Sequence, residues 1–398
     1  MGSLMLKKED YFVDENIKKA ETLPPEAFYG KDFSELEKRT VFKNHWLAIP
    51  NIDSAKIAEP GSFMPFELMG TQLLLSRDLE GKLHCLSGVC THKWKILADK
   101  PQAKKQNITC PYHGRKFFLD GKFLSQAGYK TAENSPRPCD NLQSFSIKEW
   151  WKLFFICFGK PAADFASIFK DIDESLQNYP LGKCKYRKIR KNFRLLEGNY
   201  KQHADNYLDY FHTPFVHAGK GGLKDKVDFE SYKNGLEAHE NSFLQWAYAK
   251  NPKHGIDPKF LPERFLDQSD HKRRVYALWW FIPPNLTINV WPWGVSINIY
   301  EPCLRDPTKT KFWWQHYVLD PKKYRMRDKI WLNKEVDEED IAVVASVKKG
   351  ILSGAEFCEL ANPPRGRFMP EYEQVSHWYH RWIYKNMFKN DRNQVSVI

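Results

Sequence analysis

Two short stretches decide the fold of this chain: Cys90-Thr91-His92 and Cys110-Pro111-Tyr112-His113, with 17 residues between His92 and Cys110. Each stretch supplies one thiol and one imidazole. A two-iron, two-sulfur cluster that is held by two cysteines on one iron and two histidines on the other needs this ligand set. Structural zinc sites more often pair cysteine with cysteine and histidine with histidine at short spacing. The pattern therefore predicts a [2Fe-2S] cluster, and its predicted ligands are Cys90, His92, Cys110 and His113.

The residues around these stretches have the pattern of a small all-β domain. Short apolar runs such as Gln72–Ser76 alternate with turn signals at Glu80-Gly81 and Asp120-Gly121. Gly114 and Gly121 stand where two cluster-binding loops are expected to turn. The other cysteines have no partner in such a motif and are expected to pack in the core. They are Cys85, Cys139, Cys157, Cys184, Cys303 and Cys358.

A second group of candidate ligands lies in the aromatic segment 206–217, which has a helical pattern. Asp209 and His212 are three residues apart and share a helix face. His212 and His217 are five apart, about 140° round a regular helix. Pro214 disfavours an undistorted helix between them, so a bend is expected there. Both imidazoles can then converge on one metal ion.

Two histidines need a carboxylate to complete the facial triad of an oxygen-activating ferrous site. The acidic run 335–340 supplies one, since Asp340 lies at helical spacing from a stripe of apolar residues, whereas ordinary acids face water. That stripe is Val336, Val343, Val344, Val347 and Ile351. Glu339 is the alternative carboxylate. Most other histidines are expected in ordinary core or surface roles: His45, His84, His239, His254, His271, His316, His377 and His380. His203, which precedes the motif by one helical stretch, is left open.

The bulk properties indicate a globular chain. It has 398 residues, 42% of them hydrophobic, and no apolar run reaches the length of a membrane span. The N-terminus turns to charge at once and lacks a signal-peptide core, so we expect a cytoplasmic protein with reduced cysteines. The net charge of +12 comes from scattered basic residues interleaved with 49 acids, which disfavours nucleic-acid binding. A basic surface is also compatible with docking of an acidic electron donor.

The pattern along the chain predicts three parts. Residues 1–40 form a helical N-terminal arm that packs on the catalytic domain, residues 41–160 form the cluster domain, and residues 161–398 form a larger α+β domain with the mononuclear metal. Helices are expected at 320–352 and 371–388. Antiparallel strands are expected at 243–249, 275–282, 286–290, 295–300 and 311–319.

These motifs, in this order, resemble the large (alpha) subunits of Rieske ring-hydroxylating oxygenases over nearly the whole chain. The resemblance implies a Rieske [2Fe-2S] domain and a helix-grip (START-like) catalytic domain. It implies that His212, His217 and Asp340 bind a mononuclear Fe(II) that activates O2. It also implies a homotrimer, in which Asp209 is the acid that bridges the cluster of one subunit to the iron of the next by hydrogen bonds with His113 and His212.

The chain departs from its relatives beside the cluster. Lys93-Trp94 stands where many relatives have Arg-Gly, and Arg115 stands where many have Trp. Neither change replaces a ligand. We expect them to affect the cluster potential or the surface that docks the electron donor.

The expected function is that of a terminal oxygenase. The chain shows no dinucleotide fingerprint, so electrons from NAD(P)H require a separate ferredoxin or reductase. Strands rich in tryptophan are expected to line a pocket for a small apolar or aromatic organic substrate. The candidates are Trp279, Trp280, Trp291, Trp293, Trp313 and Trp314. The same rings fit an N-methyl or quaternary ammonium substrate. The alternative from another class is a Rieske electron carrier or scaffold without oxygenase activity.

Overall fold

The computed structural model describes residues 6–187, 192–219, 222–322, 334–353 and 365–389. The chain forms two compact units. Lys43–Ala162 form the small unit, whereas Met1–Phe42 and Ala163–Ile398 together form the large unit. The boundaries expected from the sequence, after residues 40 and 160, lie two residues before these.

The small unit is built from antiparallel strands. Its nine described strands are β1 (Leu47–Ala48), β2 (Ser62–Leu68), β3 (Thr71–Arg77), β4 (Leu83–Ser87), β5 (Ile108–Thr109), β6 (Lys116–Phe117), β7 (Phe123–Ser125), β8 (Ser144–Trp150) and β9 (Leu153–Cys157). A six-stranded sheet has the order β1-β9-β8-β4-β3-β2, and a three-stranded sheet has the order β5-β6-β7. The all-β prediction is confirmed.

Local sequence explains these hairpins. Met69 and Gly70 connect β2 to β3 with φ values of 50° and 69°. Positive φ at both central residues is the two-residue turn that matches the twist of paired strands. The core between the sheets includes Leu74, Leu86 and Phe117, each 0% exposed. Their burial holds the ends of β4 and β5, from which the two cysteine loops start.

The large unit is organised around one eight-stranded antiparallel sheet. Its described strands are β10 (Lys185–Arg187), β11 (Phe193–Glu197), β12 (Leu236–Ala238), β13 (Phe243–Tyr248), β14 (Val275–Ile282), β15 (Leu286–Trp291), β16 (Gly294–Pro302) and β17 (Lys309–Val318). The order is β10-β17-β16-β15-β14-β13-β12, and β11 also pairs with β17. Each of the five strands predicted here is present, shifted by at most two residues at either end.

Helices cover this sheet and complete the predicted α+β fold. Those described are α1 (Glu26–Tyr29), α2 (Lys31–Glu37), α3 (Phe165–Leu176), α4 (Tyr200–Leu208), α5 (Thr213–Val216), α6 (Leu223–Lys226), α7 (Phe229–Asn234), α8 (Lys334–Leu352) and α9 (Gln374–Met387). Every residue of β13, β14 and β15 is buried. Burial on both faces explains why these strands have continuous apolar runs and not an alternating pattern.

The N-terminal arm is less helical than predicted. It has a 3-10 turn at Lys8–Tyr11, and regular α-helix begins only at Glu26. Pro24-Pro25 explains this start, because proline is tolerated in a first helical turn and disfavoured further inside. The predicted helix 320–352 is observed as Lys334–Leu352; its predicted start is wrong, because residues 320–322 are not helical, and residues 323–333 lie outside the described residues.

Candidate metal centres

The two cysteine loops of the small unit have the same backbone hydrogen bonds. Cys90 N donates to Lys95 O over 2.9 Å, and Trp94 N donates to Cys90 O over 3.0 Å. In the second loop, Cys110 N donates to Arg115 O over 2.7 Å, and Gly114 N donates to Cys110 O over 3.1 Å. The loops are therefore local copies of one conformation, each presenting a cysteine and a histidine.

Each loop turns through a residue in the left-handed region. Gly114 has φ of 68°, which glycine adopts without steric cost. Trp94 has φ of 54° at the matching position, where a side chain is strained. Its indole is 81% exposed. The expected turn at Gly114 is confirmed, and the first loop makes the same turn without a glycine.

The four predicted cluster ligands are brought together. Cys90 and Cys110 are each 2% exposed, and the rings of His92 and His113 lie 4.8 Å apart between centroids. Burial raises the pKa of the Cys90 thiol; the backbone hydrogen bond of His92 opposes this rise, and the neighbouring Cys110 thiol adds to it. Two buried thiols in contact, with two imidazoles beside them, fit a [2Fe-2S] cluster with mixed ligation, whose iron favours the thiolates.

The other described cysteines divide by burial. Cys85, Cys157 and Cys184 are buried, in agreement with the packing prediction. Cys139 is exposed, so that prediction is wrong for this residue, which sits in a 3-10 turn, Pro138–Asp140, on the surface. Cys303 is half-buried, and Cys358 lies outside the described residues.

A buried ion pair lies beside the cluster loops. Arg115 is 1% exposed and its Nη2 donates to Asp140 Oδ1 over 2.6 Å. Burial alone raises the pKa of Asp140, but hydrogen bonds from the Arg137 amide, Arg115 and Tyr129 outweigh it and hold the pKa below its usual range. Both members of the pair are therefore charged.

The second candidate centre begins where α4 ends. The segment was expected to be one helix bent at Pro214, and this is wrong. Asp209 ends α4 with extended backbone angles, φ −82° and ψ 91°. Its Oδ1 accepts from Phe211 N over 2.9 Å, which starts a 3-10 turn at Tyr210–His212. Pro214 lies in the first turn of α5, where its missing N–H costs nothing.

This break brings three predicted ligands together. His212 Nε2 lies 3.1 Å from His217 Nε2 and 3.3 Å from Asp340 Oδ1, and His217 Nε2 lies 3.2 Å from the same oxygen. Ligands at right angles around one first-row metal ion are about 3 Å apart. Asp340 Oδ1 is buried and has no hydrogen-bond partner among the described residues. The three groups thus fit a mononuclear iron of the facial-triad type.

Electrostatics agree with this geometry. Burial lowers the pKa of His212, but Asp209 and Asp340 outweigh it and raise the pKa to about 9. Burial raises the pKa of Asp340, but His212 and His217 outweigh it and lower the pKa to about 2. Protons on the histidines balance the carboxylate in the absence of a cation. A divalent ion would take the place of those protons.

Two further carboxylates flank the histidines. Glu339 Oε2 lies 2.6 Å from His217 Nδ1, on the side of the ring away from Asp340. Asp209 Oδ2 lies 3.7 Å from His212 Nδ1, beyond hydrogen-bond length. Glu339, the alternative ligand in the sequence analysis, thus contacts the far nitrogen of a candidate ligand. The predicted apolar stripe on α8 holds only in part, because Val344 is 2% exposed but Val347 is 45% exposed.

A cavity lies beside the triad, and its lining includes some of the six tryptophans that were predicted to line a substrate pocket. Trp279, Trp291 and Trp293 contribute to its wall. Trp280, the neighbour of Trp279 on β14, points the other way and is 0% exposed, as alternation along a strand requires. Trp313 and Trp314 do not line it. The tryptophan prediction is therefore correct for three of its six residues.

The aromatic wall is a connected set of rings. Tyr232 stacks on Trp279 at 5.1 Å, and Trp279 meets Trp291 edge-on at 5.9 Å and 86°. Trp291 stacks on Trp293 at 6.1 Å and 4°. The turn between β15 and β16 ends at Gly294, where a Cβ would lie 2.0 Å from Tyr317 O. Glycine at that position allows β16 to approach β17 closely.

Several lining residues were missed from sequence. Tyr207, Tyr210, Tyr232 and Asn289 gave no motif signal. His316 was expected in an ordinary core or surface role, yet it lines the cavity, and burial, followed by the charge of Arg187, lowers its pKa to about 4. His203 also lines it. These residues come from α4, α7, the 3-10 turn at Tyr210–His212 and two strands, so only the folded chain brings them to the triad.

The comparisons with known proteins agree with the fold and the two centres. The family described as "Ring hydroxylating alpha subunit (catalytic domain)" matches residues 179–388, and the "Rieske [2Fe-2S] domain" matches residues 45–136. The chain belongs to the family of ring-hydroxylating oxygenase alpha subunits. It is a Rieske non-haem iron oxygenase, the terminal component that uses a Rieske cluster, a mononuclear iron and O2.

The individual relatives that match over most of the chain have low sequence identity to it. The chain is 25% identical over 384 residues to choline monooxygenase, chloroplastic, from Spinacia oleracea, covering 92% of this chain and 78% of the relative. It is 24% identical over 352 residues to the carnitine monooxygenase oxygenase subunit of Escherichia coli (strain K12), covering 86% and 89%.

Solved structures support the fold. A quaternary ammonium Rieske monooxygenase in complex with an inhibitor superposes with a TM-score of 0.75 at 18% identity, covering 97% of this chain and 100% of that one. Naphthalene 1,2-dioxygenase with indole bound superposes with a TM-score of 0.69 at 16% identity, covering 94% of both chains. In the described part of this chain, no helix combines the length and apolar character needed to cross a membrane.

Proposed function

We propose that Cys90, His92, Cys110 and His113 hold the Rieske cluster and that His212, His217 and Asp340 hold the mononuclear iron. The observation that supports the iron site is the mutual spacing of 3.1–3.3 Å among two imidazole nitrogens and one buried carboxylate oxygen. When bound, the ferrous iron supplies reductive activation of dioxygen with electrons received from the cluster.

For the substrate, we propose a small quaternary ammonium or N-methyl compound. An apolar ring compound was the first expectation and also fits tryptophan walls. The pair Trp279 and Trp291 favours a cation, because both rings line the cavity and meet at 86°, so that they form a corner of aromatic surface on which an ammonium group can sit. Asp209 and Asp337 also line this cavity; burial, followed by the charges of Asp340 and Glu338, raises the pKa of Asp337 to about 8, and a bound cation would favour its charged form. Relatives named for choline and carnitine oxidation support the same class.

The residues around the cage hold its rings in position. Trp291 Nε1 donates to Ser296 Oγ over 3.0 Å, and Asn289 Nδ2 donates to the same oxygen over 3.1 Å. Tyr207 Oη donates to Asn289 Oδ1 over 2.7 Å. This chain of bonds fixes the indole plane, so a bound ammonium group meets preorganised ring faces and its carbon atoms are held at a fixed place beside the triad.

We propose that the chain acts with a separate ferredoxin or NAD(P)H reductase and assembles as a homotrimer with Asp209 as the bridging acid. The carboxylate lies 3.7 Å from His212 Nδ1 and is partly exposed, so a second chain has access to it. We propose a cytoplasmic location. Among the described cysteines, Cys90 and Cys110 are the proposed cluster ligands and no disulfide joins the others, which fits a reducing compartment.

Substrate oxidation by the reduced holoenzyme tests the function. Choline, carnitine and the uncharged tert-butyl analogue of choline are each incubated with ¹⁸O₂, and naphthalene represents ring substrates. We expect substrate-dependent O2 uptake and ¹⁸O transfer with an ammonium compound and much less with its uncharged analogue. The variant Asp340→Ala is the inactive control.

Two outcomes would contradict the proposal. Oxidation of naphthalene with no response to the ammonium compounds would replace the substrate class but keep the oxygenase. A protein with both centres loaded that oxidises none of the compounds tested would remove the support for the ammonium class.

A further inference from the structure

The guanidinium of Arg115 is an unusual group to find beside an iron–sulfur cluster site. It follows the loop of Cys110 and His113 directly, and 1% of its surface is exposed. Arginine is almost never buried to this extent without a partner. Its buried partner is Asp140, so the chain places a complete ion pair directly after the second cluster loop.

The contacts of Arg115 lead toward one candidate cluster ligand. Its Nη1 donates to Gln126 Oε1 over 3.1 Å, and Gln126 Nε2 lies 3.3 Å from His92 Nδ1. The guanidinium carbon also lies 4.6 Å from the centroid of the Phe123 ring and 5.2 Å from that of Tyr129. The charge is therefore held in a low-dielectric place, two polar contacts from His92.

The same group connects the two cluster loops. Asp140, the ion-pair partner, accepts at its backbone oxygen from Arg115 Nη2 over 3.4 Å and from Thr91 Oγ1 over 2.8 Å. Thr91 lies between Cys90 and His92 in the first loop. The Nε of Arg115 is buried and has no hydrogen-bond partner among the described residues. One donor is thus left over beside the cluster site.

Stability alone does not account for this arrangement. A buried ion pair gains in Coulomb energy about what it loses in desolvation, and well-packed apolar residues often replace such a pair without loss. The potential of an iron–sulfur cluster, by contrast, depends on nearby charge and hydrogen bonds. A cation in a low-dielectric place acts strongly on a charge that changes by one unit.

We propose that Arg115 is a positioning residue that raises the reduction potential of the Rieske cluster. The inference rests on the cluster assignment made under Proposed function. In the reaction, one electron from the external donor adds one negative charge to the cluster, and the guanidinium stabilises that charge. No bond forms or breaks at Arg115, which keeps its proton throughout.

Three variants of the full-length holoenzyme test this. Arg115→Gln removes the charge, Arg115→Lys keeps it, and Asp140→Asn removes the opposing charge and keeps the guanidinium. Midpoint potentials are measured by redox titration followed by electron paramagnetic resonance, with iron and acid-labile sulfide counted in each sample. We expect a negative shift in Arg115→Gln, a smaller shift in Arg115→Lys and a positive shift in Asp140→Asn.

Opposite signs distinguish electrostatic tuning from general damage, which would move both potentials in one direction. An unchanged potential in a fully loaded Arg115→Gln overturns the proposal, as do shifts of equal sign in Arg115→Gln and Asp140→Asn. If Arg115→Gln does not retain its cluster, the test rests on Asp140→Asn. An unchanged or lower midpoint potential in Asp140→Asn then overturns the proposal. Absence of a mixed-ligand cluster signal in the wild-type protein would instead contradict the proposed cluster assignment.

Discussion

Glu339 Oε2 and His217 Nδ1 lie 2.6 Å apart, whereas the other ring nitrogen of His217 faces His212 and Asp340. The imidazole is 1% exposed, so both of its nitrogens are engaged inside the protein. A carboxylate on the far nitrogen fixes the tautomer and orientation of a metal-binding histidine. We therefore propose that two adjacent residues of α8 have different roles, Asp340 as an iron ligand and Glu339 as the group that orients His217.

Removing the charge of Glu339 is expected to weaken iron binding without abolishing it. For Glu339→Gln we expect an Fe(II) affinity lower by about 10–100-fold, because the orienting carboxylate is lost. Competition with a ferrous chelator measures this. Glu338→Gln is the matched control, since Glu338 pairs with Arg194 on the surface over 2.6 Å.

Removing the carboxylate of Asp340 is expected to weaken iron binding more than Glu339→Gln does. Asp340→Ala should lose the mononuclear iron and keep the cluster, as measured by iron and sulfide content. Stoichiometric iron at this site in Asp340→Ala, together with its loss in Glu339→Ala, would show that Glu339 is the ligand.

Asp209 is expected to act in electron transfer and not in metal binding. We expect Asp209→Ala to retain both metals but to reoxidise its cluster at least about 100-fold more slowly in single-turnover stopped-flow experiments, because a connecting carboxylate is lost. Asp225→Ala, which changes an exposed acid on α6, is the control. Normal cluster reoxidation in Asp209→Ala would rule out the bridge.

Trp291 is expected to bind the cationic group of the substrate. Loss of one cation–π contact costs about 0.5–2 kcal/mol, so Trp291→Leu should raise the Kd for an ammonium substrate about 2–30-fold. The uncharged analogue should bind the variant and the wild type about equally. Trp314→Leu outside the cavity is the control. Equal losses for both compounds would indicate a packing role alone.

The Glu37–Lys201 pair is expected to hold the N-terminal arm on the large unit. Lys201 Nζ lies 2.9 Å from Glu37 Oε2, and their surfaces are 1% and 2% exposed. Lys201→Met leaves the buried Glu37 carboxylate without its cation, although the Tyr200 hydroxyl still donates to it over 2.7 Å, and should lower the free energy of unfolding by about 3–5 kcal/mol. The double variant Glu37→Leu/Lys201→Met should recover most of it in urea titrations. No recovery would point to packing around Lys201 instead.

His203 is expected to make stability depend on pH. Burial lowers its pKa from 6.5 to about 4, against a hydrogen bond to Glu197 O and the charge of Asp340. The unfolded chain takes up the proton first, so the contribution of neutral His203 is complete above about pH 6.5 and is lost as the pH falls toward 4. Urea titrations at pH 5 and 7.5 should show a smaller stability loss on acidification in His203→Gln than in the wild type. Equal losses would exclude this role.

Much of the fold and half of the site were predictable because their signals are local. The cluster motif lies in two loops of six residues. The backbone hydrogen bonds of each loop form within that loop, so local sequence determines the positions of Cys90 and His92 relative to each other. Strands such as β14 are predictable because a short apolar run that is rich in aromatic and β-branched residues and ends at Pro283-Pro284 favours a strand over a helix. The histidines of the second centre were found in the same way, since only five residues separate them.

Tertiary structure alone decided how distant residues meet. Glu339 is 122 residues from His217, and no local pattern distinguishes an orienting acid from a ligand on the same helix. Asp209, which was expected inside a helix, ends α4 because its side chain caps the next turn. Burial of Arg115 and the choice of cavity-facing tryptophans depend on how sheets and loops pack. The sequence determined which chemical groups are present and their local conformation, while long-range packing determined which of those groups face one another, since such contacts depend on burial and distance in three dimensions.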